Sequence, residues 1–208
     1  MSTQTNAAVR NEQKQRIGIR TMVQVGMLSA IATVLMLFEI PLPFAPSFYE
    51  IDFSEVPVLI GCFTMGPLAG AAIEMVKILL NFLINGTVTA GVGEIANFLI
   101  GCALCVPAGL LYKKQKKGAL IGMAVGTGMM VIVGCVINAY VLLPVYAKAF
   151  QMPLDALIGM GTAVNPNITG LSTFVIFAVA PFNLLKGVLV SVIVLAIYKK
   201  ISPIFRMR

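Results

Sequence analysis

The chain has 208 residues, of which 59% are hydrophobic and 11% are charged, and its mean hydropathy is +0.95. Because about a quarter of the residues of a soluble domain are charged, this composition excludes a soluble globular protein and indicates an all-α integral membrane protein. The formal charge of +7 does not indicate a nucleic-acid partner, since most of the 15 Lys and Arg residues border apolar segments.

The apolar segments predict six membrane-spanning helices. In chain order we expect them at residues 17–40, 53–65, 68–84, 94–112, 118–146 and 170–200. The second segment is short for a span, which needs roughly 20 apolar residues. Gly66 and Pro67 separate it from the third segment. Short segments interrupted by Gly or Pro often mark ligand sites in membrane carriers.

Three connections between these helices are predicted to lie outside the membrane, on its external side. Residues 41–52, which we call the lid loop, contain three prolines and are predicted to form a semi-rigid segment that covers the bundle. Its aromatic residues Phe44 and Tyr49 are candidate ligand contacts. Residues 85–93 form a glycine-rich turn, and residues 147–169 form the longest external loop.

The charged residues predict the topology. Basic residues form three clusters that face the cytoplasm by the positive-inside rule, at residues 10–20, 113–117 and 199–208. Six spans return both termini to that side. Acidic residues lie in or beside the outward-facing segments, at Glu39, Glu50, Asp52, Glu55, Glu94 and Asp155. We therefore expect a polar cytoplasmic tail (residues 1–16), a six-helix transmembrane substrate-binding domain (17–200) and a basic cytoplasmic tail (201–208).

Lys186 carries a charge near the middle of the last apolar segment. An ammonium group at the centre of a bilayer costs about 2.5–3.5 kcal/mol, so the position needs a physical reason. Asn183 precedes it by three residues and shares its helical face. The two residues predict half of a binding pocket inside the bundle. The alternative is a lysine that extends to the lipid headgroups.

Further polar residues interrupt apolar segments and are candidate pocket residues: Glu94, Asn97, Asn138, Glu74 and Lys77. If their faces converge, the cavity would offer amide and ammonium groups among apolar side chains, which suits a flat, partly polar organic molecule. Each also has a structural alternative. Glu74 and Lys77 would satisfy each other as an intrahelical ion pair. The two asparagines would link helices by hydrogen bonds, and Glu94 would stabilise a helix N-terminus.

The first predicted helix carries a candidate docking motif. Gly26 and Ala30 are small residues four positions apart, continued by Ser29 and Thr33 on an adjoining face. This spacing lets a second membrane helix approach closely. Since it is frequent by chance in apolar segments, it indicates a partner only together with other features.

Several kinds of site are absent from the sequence. There is no phosphate-binding G-x-x-x-x-G-K-[ST] loop, so the chain has no such site for ATP. The chain has no histidine, and its four cysteines lie in apolar stretches, where they read as small hydrophobic residues. The sequence therefore predicts neither an enzyme nor a metal-binding protein.

Several motifs together resemble one family of membrane transport proteins. They are PLPFAPSFYEIDFSEVPVLIG, FTMGPLAG, GTVTAGVGEIANFLIG, INAYVLLPVY and APFNLLKG. The chain resembles, over about residues 20–200, the riboflavin-specific S subunits (RibU type) of energy-coupling factor (ECF) transporters. The combination of FSEVPVLI, GEIANF and PFNLLKG is specific, whereas the apolar residues between these motifs are not.

The resemblance implies a multi-pass subunit of a prokaryotic plasma membrane that binds riboflavin from outside, as a transported ligand and not as a cofactor. It also implies a transmembrane coupling subunit and two ATPase subunits as partners. The small-residue motif that contacts the coupling subunit would fall on Gly26 and Ala30, where the family usually has Ala at the first position. The family's pocket residues would fall on Asn183, Lys186, Asn138, Glu94 and Asn97.

A binding mode follows from the polar residues and the resemblance together. The edge of the flavin ring would satisfy Lys186 and Asn183, while apolar side chains cover its faces and the ribityl hydroxyls meet polar groups beneath the external loops. ATP hydrolysis by the partners would then reorient the subunit and release the vitamin. The alternatives are another vitamin, a self-powered carrier, or FMN with its phosphate on Lys186, Lys77 or Lys148.

Overall fold

The structure is a computed structural model that describes residues 2–42, 46, 49–114 and 118–206. Within these residues it contains nine α-helices: α1 Ser2–Met36, α2 Glu55–Met65, α3 Pro67–Asn85, α4 Val92–Lys114, α5 Ala119–Ile137, α6 Leu143–Ala149, α7 Leu154–Val164, α8 Leu171–Phe174 and α9 Ala180–Arg206. Two π-helical turns, Asn138–Leu142 and Val175–Val179, join α5 to α6 and α8 to α9. Two short strands, β1 Ile40–Pro41 and β2 Glu50–Ile51, form an antiparallel pair.

Among the described residues, five segments are long and apolar enough to cross a membrane: Gly18–Met36, Pro67–Asn85, Val92–Tyr112, Ala119–Ala149 and Leu171–Tyr198. The last two run through a π-helical turn without interruption. The predicted all-α membrane fold is confirmed by these segments. Helix α2 has 11 residues, about 16 Å, which is short for the hydrocarbon core. The sixth span and the cytoplasmic position of the termini therefore stay predictions.

Helix α2 lies inside the bundle, where it contacts α1, α3, α4 and α9. Its residues 55–63 are all buried, because neighbouring helices cover every side of it. Gly66 adopts a φ of 108°, which favours glycine, and Pro67 begins α3. The predicted break between the second and third apolar segments is thus present as a tight turn between two helices.

Small residues bring the long helices close together. An added Cβ atom at Gly122 on α5 would lie 2.7 Å from the carbonyl oxygen of Ala108 on α4. One turn further on, Gly126 approaches the carbonyl oxygen of Leu104 in the same way. Helices in a membrane gain most of their packing energy from such close van der Waals contact. The outer faces, by contrast, expose large apolar residues such as Leu83, as expected for contact with lipid.

Two segments differ from the sequence prediction. Helix α1 begins at Ser2, so the predicted N-terminal tail, residues 1–16, is helical over its described part. Its Ala, Gln, Arg, Lys and Glu residues are strong helix formers, and it contains no Gly or Pro. The predicted external loop, residues 147–169, contains α7. This short helix starts after Pro153 and buries Leu157 and Ile158 against the bundle, an apolar pattern that the prediction overlooked.

Three features shape the end of the bundle where polar side chains collect. The pairing of Ile40 with Ile51 closes the lid loop at its base. The first π-helical turn begins at Asn138, and the second ends one residue before α9, which carries Asn183 and Lys186. Such single π-helical turns widen a helix locally and occur frequently at functional sites.

Candidate ligand-binding site

The cavity at this end of the bundle has a volume of about 370 Å³. This volume is in the range typical of small-molecule pockets, about 300–1,000 Å³. Residues from α3, α4, the α5–α6 segment, α9 and the chain between α1 and α2 form its wall. Six of the predicted site residues line it: Asn183, Lys186, Asn138, Glu94, Asn97 and Tyr49.

Lys186 reaches the cavity from α9, and its Nζ atom lies 2.8 Å from Oδ2 of Asp52 in the lid loop. Both side chains are buried, so the lysine does not extend to the lipid headgroups. A buried charge of this kind is stable only when it is paired and hydrogen-bonded. The sequence predicts that Asp52 lies in an external loop, but no local pattern identifies it as the partner of Lys186.

Asp52 is held in its ionised form. Burial alone would raise its pKa, but the Lys186 and Lys77 ammonium groups hold the pKa of Asp52 well below its usual range. Its second oxygen accepts a hydrogen bond of 2.8 Å from the backbone N–H of Ser54. The cavity wall therefore presents a positive donor and a negative acceptor side by side.

Tyr49 ties the lid loop to the helices. Its hydroxyl group donates a hydrogen bond of 2.7 Å to Oδ1 of Asn138, and its ring lies 4.9 Å from the ring of Phe182, centroid to centroid. Asn138 in turn donates from Nδ2 to the carbonyl oxygen of Gly134 at 2.8 Å. The other predicted aromatic contact, Phe44, lies outside the described residues.

Asn183 lines the cavity from α9 and packs against Gly134. Its Nδ2 atom donates 2.9 Å to the carbonyl oxygen of Val179 in the second π-helical turn. A Cβ atom at Gly134 would lie 2.9 Å from the same Nδ2 atom, closer than side chains normally approach. Gly134 therefore lets the two asparagines come together. Its only signal in the sequence is a glycine one helical turn before Asn138.

Glu94 and Asn97 line the cavity from the first turns of α4. The Oε2 atom of Glu94 accepts a hydrogen bond of 3.1 Å from the Thr87 hydroxyl group. That hydroxyl oxygen also accepts the backbone N–H groups of Thr89 and Gly91, which shape the turn before the helix. Both predicted residues therefore reach the cavity. Glu94 also lies in the first turn of α4, where a carboxylate stabilises the helix N-terminus, so the two interpretations of this residue are compatible.

Two more acidic residues line the cavity beside the lid loop. Glu39 follows α1, and Glu50 lies on β2, where the strand pair brings the two residues together. Burial and a hydrogen bond with Glu50 raise the pKa of Glu39 from 4.5 to about 7. Glu39 therefore holds a proton in part of the physiological pH range.

Lys77, a binding residue predicted from the sequence, does not line the cavity. Its side chain is completely buried among those of Ser54, Glu55 and Glu74. We call these four residues the Lys77 cluster. The Nζ atom of Lys77 lies 2.8 Å from Glu55 and 2.7 Å from Glu74, one turn earlier on α3. The intrahelical ion pair that the spacing allowed is thus present, with Glu55 as a second carboxylate that the sequence did not reveal.

The candidate docking residues face away from the bundle. Gly26 and Ala30 are exposed, and a Cβ atom at Gly26 would contact nothing within 4 Å. Ser29 and Thr33 on the adjoining face are buried, with the Ser29 hydroxyl group 3.4 Å from the Ile73 carbonyl oxygen. The two small-residue faces of α1 therefore differ, and only the Gly26 and Ala30 face is open to another protein.

Comparisons with known proteins agree on one family. The family model described as "ECF transporter, substrate-specific component" matches residues 20–198. A Bacillus subtilis (strain 168) protein named riboflavin transporter FmnP is 36% identical over 188 residues, 89% of this chain and 93% of the relative. A Staphylococcus aureus (strain TCH60) protein named riboflavin transporter RibU is 34% identical over 185 residues, 88% of this chain and 90% of the relative.

A solved structure has the same fold. It is described as "Structure and mechanism of the S component of a bacterial ECF transporter" and superimposes with a TM-score of 0.70. The two chains are 32% identical, and the match covers 91% of this chain and 99% of the other. The likeness therefore includes the whole bundle that surrounds the cavity.

Proposed function

Because this chain belongs to the substrate-specific components of ECF transporters, we propose that it captures riboflavin from outside the cell and delivers it to the cytoplasm. The family makes it a multi-pass membrane transport protein and not an enzyme. The observation that carries the proposal is the polar cavity beneath the lid loop, in a chain whose relatives are named riboflavin transporters. Riboflavin is then the transported ligand, with no cofactor.

The buried charge pair suits the polar edge of the flavin ring. That edge presents an N–H donor between two carbonyl acceptors, so it needs both donors and acceptors from the protein. Lys186 supplies a donor, Asp52 supplies an acceptor 2.8 Å away, and the Asn183 amide lies on the same wall. A buried polar group left without a partner costs about 1–3 kcal/mol, so a ligand that lacks this edge would bind more weakly.

Apolar side chains in the cavity would cover the faces of the ring. Met36, Ile78, Ile100, Met130 and Phe182 line the cavity between the polar groups. The ribityl hydroxyl groups would then point toward Asn97 and the carboxylates near the external end of the bundle. Carboxylates accept hydrogen bonds from hydroxyl groups and form stronger bonds than neutral acceptors do.

The lid loop would close over the bound vitamin. Two contacts already join it to helices on the far side of the cavity, namely Tyr49 with Asn138 and Asp52 with Lys186. The strand pair holds the two ends of the loop together. Closure would exclude water from the polar contacts between the ligand and the cavity wall.

The energy for release would come from partner subunits. The chain itself has no phosphate-binding loop for ATP. The exposed Gly26 and Ala30 face of α1 offers a close-approach surface for a transmembrane coupling subunit, which two ATPase subunits would drive. This assembly would sit in the plasma membrane of a prokaryote, with both termini of the chain in the cytoplasm.

Two measurements test the proposal. The chain purified from cells should show flavin absorption, and flavin fluorescence should be quenched when riboflavin is added to the ligand-free protein. In liposomes, uptake of riboflavin should require the coupling and ATPase subunits with ATP. Absence of any flavin binding would refute the proposed ligand. Uptake by the chain alone would instead support a self-powered carrier.

A further inference from the structure

Thr87 lies outside the cavity but holds one of the side chains that line it. It belongs to the turn between α3 and α4, is exposed, and is not part of the cavity wall. Its hydroxyl group donates a hydrogen bond of 3.1 Å to Oε2 of Glu94, which lines the cavity from the first turn of α4. This bond therefore joins an exposed turn to the wall of the ligand site.

The hydroxyl group of Thr87 has its full hydrogen-bonding capacity in use. Such a group offers one donor and two acceptor lone pairs. Its oxygen accepts the backbone N–H groups of Thr89 and Gly91, at 3.1 and 3.0 Å, and these two bonds occupy the lone pairs. The Thr89 hydroxyl oxygen lies 3.5 Å away, farther than the Glu94 carboxylate, and a carboxylate is the stronger acceptor. The single hydroxyl hydrogen of Thr87 therefore points to Glu94.

The two backbone hydrogen bonds to Thr87 also fix the shape of the turn. Ala90 has a φ of 50°, in the left-handed region that is uncommon for a residue with a side chain. The N–H groups that bind the Thr87 oxygen belong to the residue before Ala90 and the residue after it. One side chain therefore stabilises this backbone conformation and sets the direction of the Glu94 carboxylate.

The bond to Thr87 also restricts Glu94 before any ligand arrives. With Oε2 held by Thr87, Oε1 is the Glu94 oxygen that can accept a hydrogen bond from a ligand. A glutamate side chain is flexible, and ordering such a side chain on binding costs free energy. Because part of that order is already present, the carboxylate is preorganised as an acceptor.

We propose that Thr87 is a positioning residue of the ligand site, which orients the Glu94 carboxylate toward the hydroxyl groups of the transported ligand. The inference rests on the proposed function, in which the ribityl chain points toward this end of the cavity. Thr87 itself does not touch the ligand. Riboflavin binding gains from the bond because Glu94 is already ordered, whereas a flavin ring without hydroxyl groups gains nothing from it.

The test compares riboflavin with lumiflavin, which has the same ring system without the ribityl hydroxyl groups, by fluorescence titration of the purified, ligand-free chain. Thr87→Val keeps the shape of the side chain and removes its hydroxyl group. It should weaken riboflavin binding about three- to tenfold and change lumiflavin binding by less than about twofold. Thr87→Ser keeps the hydroxyl group and should retain the riboflavin affinity of wild type.

Thr162→Val is the matched control. It removes a hydroxyl group that donates to backbone carbonyl groups of Ile158 and Ile168, and Thr162 does not line the cavity. This substitution should leave the ratio of the riboflavin and lumiflavin dissociation constants unchanged.

A double-mutant cycle with Glu94→Ala separates positioning of the carboxylate from folding of the turn. If Thr87 acts through Glu94, Thr87→Val should have little effect on riboflavin binding once Glu94 is replaced. Thr87→Ala removes the same hydroxyl group and repeats the cycle if the valine variant does not fold. Equal losses in both backgrounds, equal losses for riboflavin and lumiflavin, or a loss in Thr87→Ser would overturn the inference. Failure of wild type to bind riboflavin would instead refute the proposed function.

Discussion

Two lysines, Lys77 and Lys186, are buried among the residues whose burial the structure describes, and only Lys186 lines the cavity. Lys186 pairs with one carboxylate, Asp52, and lines the cavity. Lys77 pairs with two carboxylates and is completely enclosed. In sequence the two look alike, since each follows a polar residue by three positions in an apolar segment. The comparison teaches that a buried charge marks a ligand site only where open space lies beside it.

The largest expected effect concerns the Lys77 cluster. Lys77→Ala should lower the free energy of unfolding by about 3–5 kcal/mol, because it leaves Glu55 and Glu74 buried without their ammonium partner. Unfolding in mixed SDS micelles would measure this. The neutral triple variant Glu55→Gln, Glu74→Gln, Lys77→Met should recover most of the loss.

The triple variant also tests whether Lys77 has a part in binding. Since Lys77 does not line the cavity, the folded triple variant should bind riboflavin within about threefold of wild type. A loss of riboflavin binding in a stable triple variant would show that Lys77 contributes to binding. It would contradict the conclusion that only Lys186 serves the ligand site.

Lys186→Ala should weaken riboflavin binding more than tenfold while the protein still inserts into the membrane. The substitution removes a donor from the cavity wall and leaves Asp52 buried without its partner. Fluorescence titration would measure the change, with Lys148→Ala as a control at an exposed lysine outside the cavity. The double variant Lys186→Met, Asp52→Asn removes both charges and so separates binding from stability. Unchanged affinity in that variant would exclude the pair from the site.

Gly134→Ala should weaken riboflavin binding by about three- to tenfold, equivalent to roughly 1 kcal/mol. The new methyl group would displace the Asn183 amide, which lies 2.9 Å from the position of the added Cβ atom. Because Gly134→Ala leaves the Lys77 cluster intact, it should lower the free energy of unfolding less than Lys77→Ala does. Gly128→Ala is the matched control on α5, since a Cβ atom there contacts nothing within 4 Å. Equal effects of the two substitutions on affinity would contradict this account.

The smallest expected effect is a pH dependence of stability that comes from Glu39, which lines the cavity. The pKa of Glu39 is raised from 4.5 to about 7 in the folded protein, by burial and by its hydrogen bond with Glu50. The folded state therefore holds a proton that the unfolded state releases, and this contribution to stability is lost as the pH rises from about 4.5 to 7. Glu50 and Asp52 strengthen the effect, and Lys186 opposes it.

Comparison with Glu39→Gln measures this contribution. Relative to the variant, wild type should lose stability as the pH rises from about 5 to 8. The depressed pKa of Asp52 acts in the opposite direction and only in stronger acid, since its unfolded value is 3.8. A constant difference between wild type and Glu39→Gln over this range would show that Glu39 ionises normally.

Most of the fold was predictable because the bilayer imposes strong rules on length and polarity. Long apolar segments predicted the five described spans and the tight turn at Gly66. Helix α7 was not predicted, because an 11-residue apolar helix is too short to be separated from a loop by hydropathy. The helical start of α1 was missed for the opposite reason, since a polar segment without membrane burial gives no hydropathy signal.

The sequence by itself determined that this is a membrane protein, that its apolar segments form helices, and that Asn138, Asn183 and Lys186 need polar surroundings inside the bundle. Only the tertiary structure decided which carboxylate partners each lysine. Asp52 and Lys186 are 134 positions apart, and no local periodicity links residues at such a separation. The physical reason is that hydropathy and helical spacing act along the chain, whereas the pairing of buried charges and the open space beside them depend on how separate helices meet.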